Sequence, residues 1–137
     1  MLTGSCMCGA VRFTLTGEPL GTIVCHCHPC HKYAGTNGST NLLIEAEKFH
    51  STGEMKTWTR QGISGHDVVY NFCATCPTII FVGLDFMKGR IAVKTGLLDS
   101  IADMQRLAPK IEIFVKDRID SWCERGGDVV LQEANPE

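Results

Sequence analysis

The chain has 137 residues, of which 44% are apolar and 20% charged, and its formal net charge is −2. These values predict one globular domain with a hydrophobic core and give little support for a nucleic-acid partner. No window approaches the roughly 18 apolar residues of a membrane span, and the N-terminus does not resemble a secretory signal. We therefore expect a cytoplasmic protein with no nucleic-acid or membrane partner, whose eight cysteines are thiols or metal ligands.

Short alternating or β-branched apolar stretches recur along the chain, which is typical of a mainly β fold with little helix. The predicted strands are, in order, 11–15, 20–24, 41–45, 55–59, 67–72, 78–82, 90–94 and 110–116. Turns are predicted at 17–19, 33–39 and 51–54, and a loop at 61–67. Residues 97–107 have near-helical apolar spacing, which is compatible with either a helix or an irregular segment. We expect a single domain over 1–127 and a polar C-terminal tail over 128–137.

Seven of the eight cysteines fall into three closely spaced groups, which are Cys6 and Cys8, then Cys25, Cys27 and Cys30, then Cys73 and Cys76. In extended chain a Cys-x-Cys pair points both sulfurs to the same side. A Cys-x-x-Cys pair on a tight turn is the usual knuckle of a structural zinc site. The spacing therefore indicates metal binding, with buried thiols, disulfides or a redox role for Cys73-x-x-Cys76 as weaker alternatives. Cys123 stands alone and is expected to be a semi-buried thiol without a role.

Seven thiolates suffice for one four-sulfur site and one three-sulfur site. The natural division joins the first and third groups and leaves the central trio separate, although the sequence alone also allows the trio to share a metal with either flanking pair. A catalytic zinc has three protein ligands and an exchangeable position, whereas a structural zinc has four protein ligands. His26, His28 and His31 are candidates for a fourth ligand, and His26 is expected to point away from the metal.

An open position on the trio would suit a particular chemistry. Three thiolates on Zn²⁺ carry a net charge of −1, so bound water would be acidified less than in a three-histidine site. A soft ligand such as a thiol, held as its thiolate, fits this centre better. Such a thiolate is a nucleophile for carbonyl carbon, which predicts reversible thiol addition or carbon–sulfur bond cleavage.

These motifs resemble the glutathione-dependent formaldehyde-activating enzyme family, which shares its domain with centromere protein V and has an Mss4-like fold. The stretches that carry the resemblance lie between about residues 3 and 123, and they are 4–11 (GSCMCGAV), 25–30 (CHCHPC) with Gly35, 72–76 (FCATC), 94–99 (KTGLLD), 111–115 (IEIFV) and Trp122. The resemblance implies several small antiparallel sheets with zinc knuckles. It also implies carbon–sulfur lyase activity, which forms or breaks S-hydroxymethylglutathione from glutathione and formaldehyde.

The same resemblance implies two zinc ions per chain. One is a structural zinc on Cys6, Cys8, Cys73 and Cys76. The other is a catalytic-type zinc on Cys25, Cys27 and Cys30, whose open position meets glutathione or another small thiol or aldehyde substrate.

The sequence departs from the family pattern at Pro77, where the family has Gly, so an N–H···S bond is lost at that residue. Glutathione has two carboxylates, and no basic cradle is evident for them. The candidates are Arg12, Lys32, Arg60 and Arg90, and the candidate proton carriers are Asp99, His28 and Tyr33.

Two other functions are compatible with the same motifs. One is an enzyme of this fold that acts on another small metabolite without glutathione. The other is a non-catalytic zinc module that binds a protein partner, since fold does not fix function. A histidine closing the central site would favour the non-catalytic module.

Overall fold

The structure is a computed structural model, and it describes residues 1–62 and 65–123. The described strands are β1 Leu2–Ser5, β2 Arg12–Leu15, β3 Gly21–Cys25, β4 Ser39–Glu45, β5 Phe49–Thr52, β6 Met55–Gln61, β7 Asp67–Cys73, β8 Ile79–Leu84, β9 Arg90–Lys94 and β10 Ile111–Ile113. Two short α-helices accompany them, α1 His28–Ala34 and α2 Ile101–Arg106. Single 3-10 turns lie at Ala46–Lys48, Thr95–Leu97, Val115–Asp117 and Asp120–Trp122.

The strands form two sheets. The small sheet has the order β1-β2-β5, and the large sheet has the order β10-β3-β4-β9-β8-β7-β6. All pairs are antiparallel except β10 with β3, which run parallel with Ile113 opposite Cys25. The expectation of a mainly β fold with little helix is confirmed, and most of the strands belong to one continuous sheet.

The main core lies where the small sheet packs against the large one. Its fully buried side chains come from both sheets and include Val11, Leu15, Leu42, Ile80 and Val93. Apolar and polar residues alternate along β2, and the buried apolar residues of β4 that lie two positions apart also enter this core, so one face of each strand contributes to it. The opposite face of β4 is left for other contacts, and this is where the central cysteines lie.

The sequence prediction missed three elements. Strands β1 and β5 are only four residues long and lack a clear apolar alternation. Helix α1 was not predicted because its last two residues belong to the Gly- and Asn-rich stretch 33–39, which was predicted as a turn. The predicted strands at 11–15, 20–24, 41–45, 55–59, 67–72, 78–82 and 90–94 all correspond to observed strands within one or two residues.

Two segments differ from their predicted form. Within 97–107 only Ile101–Arg106 is α-helical, beginning after Ser100, whose hydroxyl accepts a hydrogen bond from the Asp103 amide. The strand predicted at 110–116 ends at Ile113, because Phe114 adopts a left-handed conformation with φ of 54°. The predicted tail at 128–137 lies outside the described residues. No helix in the described part of the chain is both long and apolar enough to span a membrane.

Candidate metal centres and the adjacent cleft

Four cysteines from distant parts of the chain meet at one end of the fold, and we call them the outer cluster: Cys6, Cys8, Cys73 and Cys76. Cys6 and Cys8 lie in the turn between β1 and β2, whereas Cys73 ends β7 and Cys76 lies in the turn that leads to β8. Their sulfur atoms all lie within 4.8 Å of one another. The Sγ atom of Cys8 is 3.5 Å from that of Cys6 and 3.8 Å from that of Cys73.

These spacings fit a metal ion. With metal–sulfur bonds of about 2.3 Å, the edge of a tetrahedron of sulfurs is about 3.8 Å. Backbone amides stabilise the sulfur atoms: Val11 donates to Cys6 Sγ at 3.2 Å, and Thr75 and Cys76 donate to Cys73 Sγ at 3.3 and 3.4 Å. The amide donors of the knuckle therefore precede Pro77, so the substitution at that position leaves these two bonds in place.

The three remaining grouped cysteines form a second cluster, the central trio of Cys25, Cys27 and Cys30. Cys25 ends β3, Cys27 caps the N-terminus of α1, and Cys30 lies within α1. Pro29 in the first turn favours the helix, because its missing amide hydrogen would have no partner there. The helix brings Cys30 Sγ to 3.2 Å from Cys27 Sγ, and all three sulfurs lie within 4.8 Å of one another.

A close backbone approach fixes the position of the trio against the next strand. Gly38 has φ of 100°, and a β-carbon there would lie 2.4 Å from the carbonyl oxygen of Cys25. Glycine at this point therefore lets β3 and the start of β4 approach each other directly behind Cys25.

The histidines near the trio have other partners. His26 is buried, and its Nε2 atom lies 2.8 Å from Glu112 Oε1. Both ring nitrogens of His31 face backbone carbonyls, Nδ1 that of Thr36 at 3.0 Å and Nε2 those of His26 and Asp117 at 2.8 and 3.0 Å. His28 is exposed and lines the neighbouring cleft. Within the described residues, the trio is therefore a three-sulfur group that no histidine joins at ligand spacing.

A chain of polar side chains connects the trio to the large sheet. The Ser39 hydroxyl donates to Cys30 Sγ at 3.3 Å, and Asn41 Nδ2 donates to the Ser39 hydroxyl at 3.1 Å. Lys94 Nζ then donates to Asn41 Oδ1 at 2.6 Å and to the Tyr33 hydroxyl at 2.5 Å. We call Ser39, Asn41, Lys94 and Tyr33 the polar network.

Sequence reasoning missed three members of this network. Ser39 and Asn41 are both buried at alternate positions of β4, and Lys94 lies opposite Asn41 in β9. The available signal was the run of three polar residues, 39–41, with which β4 begins. That run does not show which of its side chains are buried, and it does not identify the lysine that meets them from another strand.

The trio and the polar network shift the pKa values of each other's groups, and burial of the network shifts them further. Hydrogen bonds from the thiols of Cys25 and Cys27 lower the pKa of the Cys30 thiol. Burial lowers the pKa of Lys94 to about 8, against the attraction of the nearby thiolates. For Tyr33, burial and then the Cys30 thiolate raise the pKa of the hydroxyl, which favours its neutral, proton-donating form.

A cleft of about 670 Å³ lies beside α1, which is within the usual size range of small-molecule sites. Aromatic rings form much of its wall, with the Tyr70 ring centroid 5.4 Å from that of Tyr33 and 5.7 Å from that of Trp58. Two basic residues, Lys32 and Arg60, also line the cleft, and Arg60 Nε donates to the Tyr70 hydroxyl at 2.9 Å.

The other sequence candidates lie elsewhere. Arg12 is on the small sheet, where its Nη2 atom is 3.2 Å from Asp99 Oδ2, and Asp99 also accepts a hydrogen bond from Thr3. Arg90 is exposed at the start of β9 and does not line the cleft. The structure thus brings Lys32, Arg60, Tyr33 and His28 to one cleft and places Arg12, Arg90 and Asp99 outside it.

Comparison with known proteins agrees with this arrangement. The family model for the glutathione-dependent formaldehyde-activating enzyme matches residues 1–117, which include both cysteine clusters and all cleft residues. The chain belongs to this family. A Halomonas elongata protein that is provisionally named a glutathione-dependent formaldehyde-activating enzyme is 29% identical over 129 residues, covering 90% of this chain and 80% of that protein.

The fold of this family member also has a solved counterpart. A crystal structure of a Rhodobacter sphaeroides protein superposes with a TM-score of 0.60 at 16% identity, covering 80% of this chain and 98% of the other. At this identity the likeness concerns the fold alone. Family membership, in contrast, rests on the sequence match over residues 1–117.

Proposed function

We propose that the protein is a zinc-dependent carbon–sulfur lyase that forms or cleaves S-hydroxymethylglutathione from glutathione and formaldehyde. The observation that carries this proposal is the central trio, a group of three cysteine sulfurs beside a cleft in a chain of the glutathione-dependent family. Its eight cysteines form no disulfides, which fits work in the reducing cytoplasm.

We further propose that each chain holds two zinc ions. The outer cluster supplies four sulfurs, the donor set of a closed structural site, whereas the trio supplies three and leaves a position for an exogenous ligand. Zinc bound there would lower the pKa of an incoming thiol and hold it as the nucleophilic thiolate.

The cleft would orient glutathione by its charged ends. Lys32 and Arg60 are cations that line this cleft, and each could pair with one of the two carboxylates of the tripeptide. The aromatic wall formed by Tyr70 and Trp58 would pack against the peptide between them. This arrangement would keep the thiol directed toward the trio rather than toward solvent.

Proton transfer completes the reaction. In the forward direction the thiolate sulfur adds to the carbonyl carbon, a carbon–sulfur bond forms, and the carbonyl π pair moves to the oxygen. That oxygen needs one proton, which replaces the proton lost by the thiol. Tyr33 is our candidate donor because its neutral hydroxyl lies between the cleft and the trio, and His28 is the candidate that exchanges protons with solvent.

The test is Cys27→Ala, with Cys123→Ala as a control for the loss of one thiol. We expect Cys27→Ala to lose lyase activity at least a hundredfold while it keeps wild-type circular dichroism, because the outer cluster is intact. The control should keep full activity, since Cys123 is exposed and outside both clusters. Wild-type turnover in Cys27→Ala would contradict the proposal.

Native mass spectrometry adds a second readout. Two zinc ions and a glutathione adduct that disappears in Cys27→Ala would support the open site. Two zinc ions without an adduct would instead favour an enzyme of the same fold that acts on another substrate. One zinc ion would favour a non-catalytic module.

One observation favours that second substrate class. Much of the cleft wall is apolar, with Trp58, Phe72 and Ile79 beside the two cations. A less polar metabolite could fill this space without using both cations. Dependence of the rate on added thiol separates the two functions, because only the glutathione reaction requires it.

A further inference from the structure

We propose that Lys94 is a positioning residue of the central trio, whose ammonium group offsets the charge of the three thiolates and fixes the Tyr33 hydroxyl beside them. This inference rests on the proposed metal site at the trio but not on the identity of the substrate. It follows from the polar network, in which Lys94 Nζ contacts Tyr33 and Asn41 at once.

The charge of Lys94 is the first ground for this role. The ammonium end of Lys94 lies in the protein interior, although the residue as a whole is half-buried. Both of its hydrogen-bond partners are neutral oxygens, and among the described residues no carboxylate lies within 4.0 Å of it. A buried cation without a neighbouring anion is strongly unfavourable.

The missing anion is the trio. The charges of Cys30, Cys25 and Cys27 all act on Lys94 in the direction that stabilises its ammonium form. Three thiolates on a divalent ion would leave a net charge of −1, and one lysine brings the sum to zero. The two groups therefore compensate each other, and Lys94 has no carboxylate partner within the described structure.

The hydrogen-bond geometry of Lys94 is the second ground for this role. On one side, Asn41 accepts a hydrogen bond from Lys94 and donates one to the Ser39 hydroxyl. That hydroxyl in turn donates to Cys30 Sγ. On the other side, the Tyr33 oxygen accepts from Lys94, so the hydroxyl hydrogen of Tyr33 is directed away from the lysine. Lys94 thus holds a ligand sulfur and the candidate proton donor in one hydrogen-bonded unit while it keeps its own proton.

The strands make this unit rigid. Asn41 and Lys94 lie opposite each other in neighbouring antiparallel strands, and Ser39 lies two residues before Asn41 on the same face of β4. Tyr33 comes from α1, which also carries Cys30. A side chain at position 94 consequently acts on both parts of the site through short contacts.

The experiment compares Lys94→Met with Lys88→Met, which removes an exposed lysine from the turn before β9. Zinc affinity of the weaker site is measured by competition with a chromophoric chelator, and kcat and KM are measured with glutathione and formaldehyde. We expect Lys94→Met to weaken the affinity of the second zinc tenfold to a hundredfold, as is usual for partners of metal ligands. It should lower kcat more than it raises KM, while Lys88→Met behaves as wild type.

Two more variants separate charge from hydrogen bonding. Lys94→Gln keeps an N–H donor without the charge, so its second zinc should also bind at least tenfold more weakly. If Lys94→Met fails to fold, the zinc affinity of Lys94→Gln tests the role of the Lys94 charge instead. Tyr33→Phe keeps the charge, so it should retain both zinc ions and lose kcat with little change in KM.

The outcomes are distinct. Wild-type zinc affinity and kcat in Lys94→Gln would overturn the role of Lys94, as would a wild-type protein that binds only one zinc. A wild-type protein that binds two zinc ions but turns over no glutathione adduct would overturn the proposed function. In that case the zinc affinities of the variants would still support or refute the inference about Lys94.

Discussion

The outer cluster should contribute much of the stability of the fold, and Cys73→Ser tests this. Cys8 and Cys73 are separated by 65 residues and lie 3.8 Å apart at their sulfurs. A metal that bridges them closes a long loop, which restricts the unfolded chain as a disulfide does. The relation for loops of this length gives about 4 kcal/mol at 25 °C. That is a large share of the roughly 5–15 kcal/mol typical of a whole domain.

The assay is urea unfolding followed by far-ultraviolet circular dichroism, in equal concentrations of zinc. We expect Cys73→Ser to unfold at a lower urea concentration and to lose about 4 kcal/mol of unfolding free energy. Its free energy should depend more steeply on urea, because an unfolded chain without the cross-link exposes more surface. Cys27→Ser is the matched comparison, because the trio closes a loop of about five residues, for which the same relation gives about 2 kcal/mol. Cys123→Ser should stay within about 0.5 kcal/mol of the wild type, as exposed substitutions do.

The order of the two variants in stability is decisive. If Cys27→Ser destabilises the protein more than Cys73→Ser, the outer cluster is not the structural site. A strong chelator added to the wild type should destabilise the protein at least as much as Cys73→Ser does, because it removes the same cross-link together with any metal at the trio. An unfolding curve that the chelator leaves unchanged would refute the cross-link itself.

Two further predictions concern packing and the cleft. Gly4→Ala should destabilise the protein by about 1–3 kcal/mol in urea unfolding, because a β-carbon there would lie 2.5 Å from the backbone oxygen of Leu97, whereas Gly96→Ala meets nothing within 4 Å and should cost far less. Glutathione at saturation should change the emission of Trp58, which is 59% exposed in the cleft. The change should persist in Trp122→Phe and vanish in Trp58→Phe, and persistence in Trp58→Phe would place the ligand elsewhere.

The sequence was sufficient to predict the cysteine groups because their spacing is local. A Cys-x-Cys or Cys-x-x-Cys pair brings its own sulfurs together whatever the rest of the fold does. The strands were predictable for a similar reason, since the alternation along 11–15 or 90–94 needs only near neighbours. Short elements such as α1 and β5 lacked enough residues to show a period.

Lys94 could not be predicted in the same way. Its contact with Asn41 joins residues 53 positions apart, and it depends on the register of β4 against β9. A shift of one residue in that register would turn Lys94 to the opposite face. The basic residues of the cleft show the same limit, because charge alone could not distinguish Arg60, which lines it, from Arg90, which does not.

The two cysteine clusters differ in ways that suit different tasks. The outer cluster joins the β1–β2 turn to the end of β7, so a metal there connects the small sheet to the large one. The trio comes from a single segment between β3 and α1, so a metal there adds little long-range connection. What surrounds the trio instead is a buried cation, a neutral tyrosine hydroxyl and an aromatic cleft.

Such groups are unfavourable in a purely structural site, because a lysine ammonium in the interior must be desolvated. The combination of three sulfurs, an interior lysine and an adjoining cleft therefore fits the proposed function, in which a ligand binds and leaves, better than a purely structural role. In this family member, the outer cluster would hold the fold together so that the trio can keep one position open for chemistry.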